Sequence, residues 1–167
     1  MFIHTPNLPT VQPMIFSSLS DFKGQLPQQG RLMGLDVGTK WVGVALSDPT
    51  QTVATPETKV ARSPTAACLN TLLTYAKTHA AVGVVVGLPL SLDGRVTPMA
   101  QSTKAFAHLF IKAGYTGPIL LWDERFSTSV MQRSLIHADV SRQKRAQVVD
   151  QLAASYVLQG ILESLRP

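Results

Sequence analysis

A single cysteine, Cys68, stands in 167 residues. No internal disulfide can form, and a lone thiol fits a reducing compartment, so the cytoplasm is the expected location. The four histidines, His4, His79, His108 and His137, lie far apart with no His-x-x-x-His spacing, which removes the common zinc patterns. No Gly-x-Ser-x-Gly turn occurs and Cys68 falls in the apolar stripe of a helix, so neither a serine nor a cysteine nucleophile is indicated. No apolar run approaches the ~18 residues of a membrane span, and no basic-then-apolar leader opens the chain, so no membrane partner is expected. Aromatics make up only 7% of the residues, and on the predicted loops Phe126 is the best placed to stack on a base. Acids are also scarce: ten Asp and Glu face fifteen Lys and Arg, a formal charge of +5. That excess favours a polyanionic partner through the long-range field.

What remains is a chain that is 45% hydrophobic and long enough for one domain with a substantial core. Residues 1–30 carry Pro6, Pro9, Pro13 and Pro27, only two charges (Asp21 and Lys23) and no sustained periodicity; they are expected to be a poorly ordered extension. Residues 31–167 are then the folded domain. In RLMGLDV, residues 31 to 37, Met33, Leu35 and Val37 alternate with Leu32, Gly34 and Asp36, the period of a strand. A short Gly38-Thr39-Lys40 turn leads to a second strand over 41–46, and a third extended run near 51–59 completes an antiparallel meander. The period then changes. Ser63-Pro64 opens a helix carrying Leu69, Leu72, Leu73 and Ala76 to about His79, with the proline at its first position. Val82 to Val86 read as a strand buried on both faces. Thr97-Pro98 opens a second helix, with Phe106, Leu109, Phe110 and Ala113 inward, that stops at Gly114. Ile119 to Trp122 form the fifth strand, and helices over 127–137 and 142–165 close the chain. In the last of these, Val149, Leu152, Ala153, Tyr156, Val157, Gly160 and Ile161 make the apolar stripe. Three antiparallel strands followed by α/β units predict an α/β fold with a five-stranded mixed sheet flanked by helices.

Against this frame three acids stand out. Asp36 lies inside an apolar strand, where an isolated carboxylate costs several kcal/mol unless it is paired or bound to a cation. Glu124 follows the fifth strand, at the carboxyl edge where ligand sites of open α/β sheets collect. Asp150 sits at the border of the last helix's stripe. Carboxylates from two strands and a sheet-packed helix can converge, and hard oxygen ligands in that number suit Mg²⁺ or Mn²⁺. Asp48 and Asp93, before Pro and Gly, read as turn residues. The run Arg142, Lys144, Arg145 opens the last helix, where the dipole favours acids, and a phosphate contact would explain it. GLDVGTK lacks the spacing of a Walker A loop and no helix follows it. DVGT does resemble the phosphate-binding DxGT hairpin of the actin, chaperone and sugar-kinase ATPases, which leaves a single-lobe nucleotide binder as an alternative.

Four blocks in order, LDVGTKWVGVALSD, VVGLPLSLDGRVTPMAQ, LWDERFST and SRQKRAQVVDQLAA, resemble the bacterial YqgF/RuvX proteins of the RNase H-like superfamily. The resemblance runs over about residues 31 to 165. Proteins of this family carry the labels Holliday-junction resolvase and pre-16S rRNA processing nuclease. It implies an RNase H-like fold and a hydrolase acting on phosphodiester bonds in the bacterial cytoplasm, with Asp36, Glu124 and Asp150 as catalytic acids and metal ligands. The expected chemistry uses two Mg²⁺ or Mn²⁺ ions, Asp36 bridging them. Lys40 and Arg125, with Arg142, Lys144 and Arg145, are the candidate phosphate contacts. RNA is the favoured partner, in 5′-end processing of pre-16S rRNA on a ribosome precursor, with branched DNA or a non-catalytic RNA-binding role as alternatives. Unlike RuvC-type resolvases, the chain places its second acid after the fifth strand rather than the fourth, where it reads GLPLS.

Overall fold

The architecture follows from two-sided burial of one sheet. A computed structural model describes residues 14–124 and 142–166, with side chains described for 14–124 and 152–166. In chain order the elements are β1 (Ile15–Phe16), α1 (Leu19–Gly24), β2 (Leu32–Val37), β3 (Trp41–Ser47), β4 (Ala54–Ala61), α2 (Thr65–Thr78), β5 (Gly83–Leu88), α3 (Pro98–Lys112), β6 (Ile119–Asp123) and α4 (Arg142–Leu165). The sheet order is β1-β6-β5-β2-β3-β4. β3 runs antiparallel to both β2 and β4, whereas β2, β5, β6 and β1 pair in parallel. This is the expected α/β mixed sheet, with six strands where five were predicted.

The strand alternation assigns each residue to a layer. Met33, Leu35 and Val37 join Val42, Val44 and Leu46 against Cys68, Leu69 and Leu72 of α2 and Phe106 and Phe110 of α3. Leu32, Ala45, Val85 and Leu120 face the other way, onto Ala154, Val157, Leu158, Ile161 and Leu162 of α4. β5, buried at every position, contributes to both. α3 starts where its sequence indicated: Thr97 accepts from Ala100 N–H and Pro98 follows. In α2 the N-cap is Pro64 itself, so the proline stands one position earlier than expected, and Thr65 opens the helix. Leu109 and Ala113 of α3 are exposed, while Thr103 and Ala107 take the inward positions beside Phe106 and Phe110.

Residues 14–30, expected to be loosely ordered, fold onto the sheet. Ile15 and Phe16 pair with Ile119 and Leu120, so β1 covers an edge that β6 would otherwise leave open. Ser18 caps α1, whose Phe22 is fully buried in the α4-side core. A two-residue strand has no periodicity to read, which is why the sixth strand escaped the sequence. Residues 1–13, and the helix expected over 127–137, lie outside the described residues.

Candidate active site

Asp36 occupies the next-to-last position of β2. By parity it shares the α4 face with Leu32 and Gly34. The ladder sets Gly43 of β3 opposite Asp36, and Lys59 of β4 opposite Gly43. On the other side β2 pairs Leu35 with Val86, so Gly87 continues the row beside Asp36, and Gly87 in turn pairs with Trp122. The acid is thus bordered on both sides by glycines, and the sheet surface around it is bare backbone.

Glu124 uses that space. It follows β6 directly, its N–H donates to Leu88 O at 3.3 Å, and its carboxyl folds back over Gly87. A Cβ on Gly87 would collide with Glu124 Oε2 and stand 3.4 Å from Val157 Cγ2. In this position the Glu124 carboxyl hydrogen-bonds to Asp36. Burial, then the charges of Asp36 and Asp123, and then that hydrogen bond push its pKa up to about 7. When protonated, Glu124 donates this hydrogen bond to the Asp36 carboxylate.

The Gly38-Thr39-Lys40 turn is closed by Gly38 N–H donating to Trp41 O at 2.8 Å. A Cβ at Gly38 would lie 2.9 Å from that same oxygen, so glycine is required by close approach. Arg62, just past β4, clamps the turn from outside: its backbone N–H donates to Lys40 O at 3.0 Å. Its guanidinium donates to Gly38 O at 2.7 Å and to Ser102 Oγ of α3 at 2.6 Å. The planar fork therefore ties the turn to the helix layer. Lys40 and Thr39 are left exposed beside a cleft of about 330 Å³ that reaches from Asp36 over Gly43 to Trp41 and Lys59.

Of the sequence-predicted residues, Asp36 and Glu124 come together and Lys40 flanks them. α4 contributes through its register. Ala154 and Leu158 approach Gly34 so closely that a Cβ there would meet Ala154 O and Leu158 Cβ at 3.0 Å each. The buried stripe of α4 runs through Ala154, Val157, Leu158 and Ile161, while Leu152, Ala153, Tyr156 and Gly160 are only half-buried. The side chains of Asp150, Arg142, Lys144 and Arg145 lie outside the described residues, as do Arg125 and Phe126 altogether. Asp48 and Asp93 are turn residues as read. Asp48 accepts from the backbone of Thr50, Thr52 and Val53, and Asp93 pairs with Arg95 at 2.5 Å. Sequence reasoning missed Gly87, Arg62, Lys59 and Trp41. Lys59 had no sequence signal, because the register of β3 and β4 shifts between Val44 and Ala45.

Comparison with known proteins places these features in context. A family model described as "RuvX: Holliday junction resolvase" matches residues 30–164. A Sphingopyxis alaskensis protein named "Putative pre-16S rRNA nuclease" is 47% identical over 152 residues, covering 91% of this chain and 99% of its own length. A Rhodopseudomonas palustris protein of the same name is 47% identical over 153 residues, covering 92% of this chain and 95% of its own. Among solved structures, Thermus thermophilus RuvC superposes with a TM-score of 0.47 at 10% identity, covering 81% of this chain and 93% of that one.

Proposed function

Since this chain belongs to the RuvX family, we propose that it is a divalent-cation-dependent nuclease of the bacterial cytoplasm that processes the 5′ end of pre-16S rRNA. The observation that carries this reading is the Asp36–Glu124 pair, held at the carboxyl edge of the parallel strands by a rigid sheet. RNA as the polymer is supported by the names of relatives that are 47% identical over nearly their whole length.

The donor set fits the cation. Two oxygen acids pressed together, one raised to about 7 by burial and then by the charge of the other, would be stabilised as a pair by a divalent ion of the hard, oxygen-preferring kind, Mg²⁺ or Mn²⁺. Asp36 and Glu124 would hold it, with Asp150 from α4 as the third candidate ligand. Bound there, the metal supplies an acidified water as nucleophile and neutralises charge on the phosphate. The chain's own residues do the positioning. β2 keeps Asp36 from moving, Gly87 leaves room for the Glu124 carboxyl, and the Arg62 clamp presents Lys40 to the phosphate entering the cleft. Arg125, Arg142, Lys144 and Arg145 are the further candidate phosphate contacts. None of the described helices is long and apolar enough to cross a membrane.

The family description favours a second polymer, the four-way DNA junction. One experiment separates the two. A pre-16S rRNA fragment, a single-stranded RNA and a DNA junction are incubated with Mn²⁺, Mg²⁺ or EDTA, using wild type and Asp36→Asn. Cation-dependent cutting of the rRNA fragment, absent in the variant, is expected. Cutting of the junction alone would replace RNA by branched DNA. Binding without cutting by the folded wild type would leave a non-catalytic RNA-binding protein.

A further inference from the structure

Trp41 and Lys59 play no part in the acid pair, yet the sheet register sets them on its flank. Trp41 shares a face with Gly43 and Ala45, the face of Asp36, and Lys59 stands opposite Gly43 on that same face. From strand spacing and rise, the Trp41 backbone is about 8 Å from that of Asp36. Every other residue of β3 is buried, but Trp41 is 50% exposed, the largest aromatic ring so placed among the described residues. Lys59 Nζ lies over the ring, 5.8 Å from its centroid, a cation–π contact that steadies the indole. Between this pair and Asp36 the floor is Gly43, which puts no side chain in the way, and Lys40 stands at the rim. The groove continues along β4 from Lys59 past Thr58 and Pro56 to Leu152 of α4. Glu57, the one acid on that stretch, accepts from Tyr75 Oη at 2.9 Å.

An exposed indole, two lysines lining the same cleft and a glycine floor leading to the Asp36–Glu124 pair form a nucleotide-sized seat beside the proposed nuclease centre. We propose that Trp41 is a stacking platform for one unpaired base of the RNA strand whose backbone enters the Asp36–Glu124 site, with Lys59 and Lys40 on its flanking phosphates. This rests on the nuclease reading and narrows its substrate: the strand is single-stranded at the nucleotide beside the cut, since a base inside a duplex has both faces already stacked.

The test measures binding of a twelve-nucleotide single-stranded RNA, and of the same sequence as a duplex, in EDTA, and cutting of both with Mn²⁺. Wild type is compared with Trp41→Phe, Trp41→Leu and Lys59→Gln, each checked for an unchanged melting temperature. Loss of stacking in Trp41→Leu is expected to weaken single-strand binding about tenfold, with Trp41→Phe retaining most of the affinity and duplex binding nearly unmoved. Lys59→Gln is expected to lower the salt dependence of log K by about one ion's worth. Saturating RNA should quench indole fluorescence in the wild type, and the quenching should shrink in Trp41→Phe, which keeps only Trp122. Cation-dependent cutting that is the same in Trp41→Leu as in wild type would overturn the platform and leave the nuclease standing. Trp41-dependent binding with no cutting would support the platform and remove the nuclease. A wild type without affinity for the single strand would overturn the platform.

Discussion

Replacing Glu124 by glutamine tests the acid pair where it is most exposed to refutation, in the metal-free protein. Glutamine keeps the shape and can still donate a hydrogen bond to Asp36, but it cannot ionise. In the wild type Glu124 moves from an ordinary value of 4.5 to about 7 on folding. The native state therefore holds a proton that the unfolded chain has released, so stability is full below about pH 4.5 and falls as pH rises toward 7. At about 1.4 kcal/mol per pH unit, the loss completed above pH 7 is roughly 3 kcal/mol, a large part of the stability of a domain this size. Urea unfolding in EDTA at about pH 5 and pH 8 should show most of that loss in wild type. In Glu124→Gln the pH-dependent loss should be smaller by the same amount, making the variant the more stable protein at pH 8 and an inactive one with Mn²⁺. Adding Mg²⁺ or Mn²⁺ should recover stability in the wild type at pH 8 more than at pH 5, because the cation requires the ionised pair. Equal pH slopes in wild type and variant would refute the reasoning: Glu124 would then not be held against Asp36.

Gly87→Ala puts a methyl where Glu124 Oε2 lies, so cutting should fall about 100-fold in a folded protein, together with cation affinity measured by calorimetry; full activity would mean that Glu124 works from another position. Arg62→Met removes the guanidinium contacts to Gly38 O and Ser102 and should lower kcat about tenfold while destabilising by about 1–3 kcal/mol in urea, an unchanged kcat placing the clamp outside the reaction. Ser47→Ala strips the buried Leu32 N–H of its acceptor at 2.8 Å and is expected to lower stability by about 1–3 kcal/mol with cutting at 25 °C intact, so the melting curve should shift and the rate should not. Gly34→Ala meets Ala154 O and Leu158 Cβ at 3.0 Å and should destabilise by about 1–3 kcal/mol through displacement of α4, readable in the same unfolding assay.

Local patterns in the chain determined a good deal of this molecule. The alternation of residues 32–37, the Gly38–Lys40 turn, the cap at Thr97 and the unbroken apolar run of β5 each depend on neighbours in sequence, so strands, turn and helices were legible. The oddity of Asp36 was legible for the same reason, since a carboxylate inside an apolar strand conflicts with its surroundings whatever the fold. Tertiary structure alone decided which groups meet it. Glu124 reaches Asp36 only because β2, β5 and β6 lie side by side in parallel with Gly87 between the two acids, and lateral register has no periodicity in the chain. The face that α4 buries was likewise chosen by its partner: Gly34 admits Ala154 and Leu158 at close range, which turns the helix away from the stripe that hydrophobicity suggested. Lys59 and Trp41 share the face of Asp36 through cross-strand pairing across Gly43. The acid was written into one strand, whereas the site around it exists only where separate strands come into register.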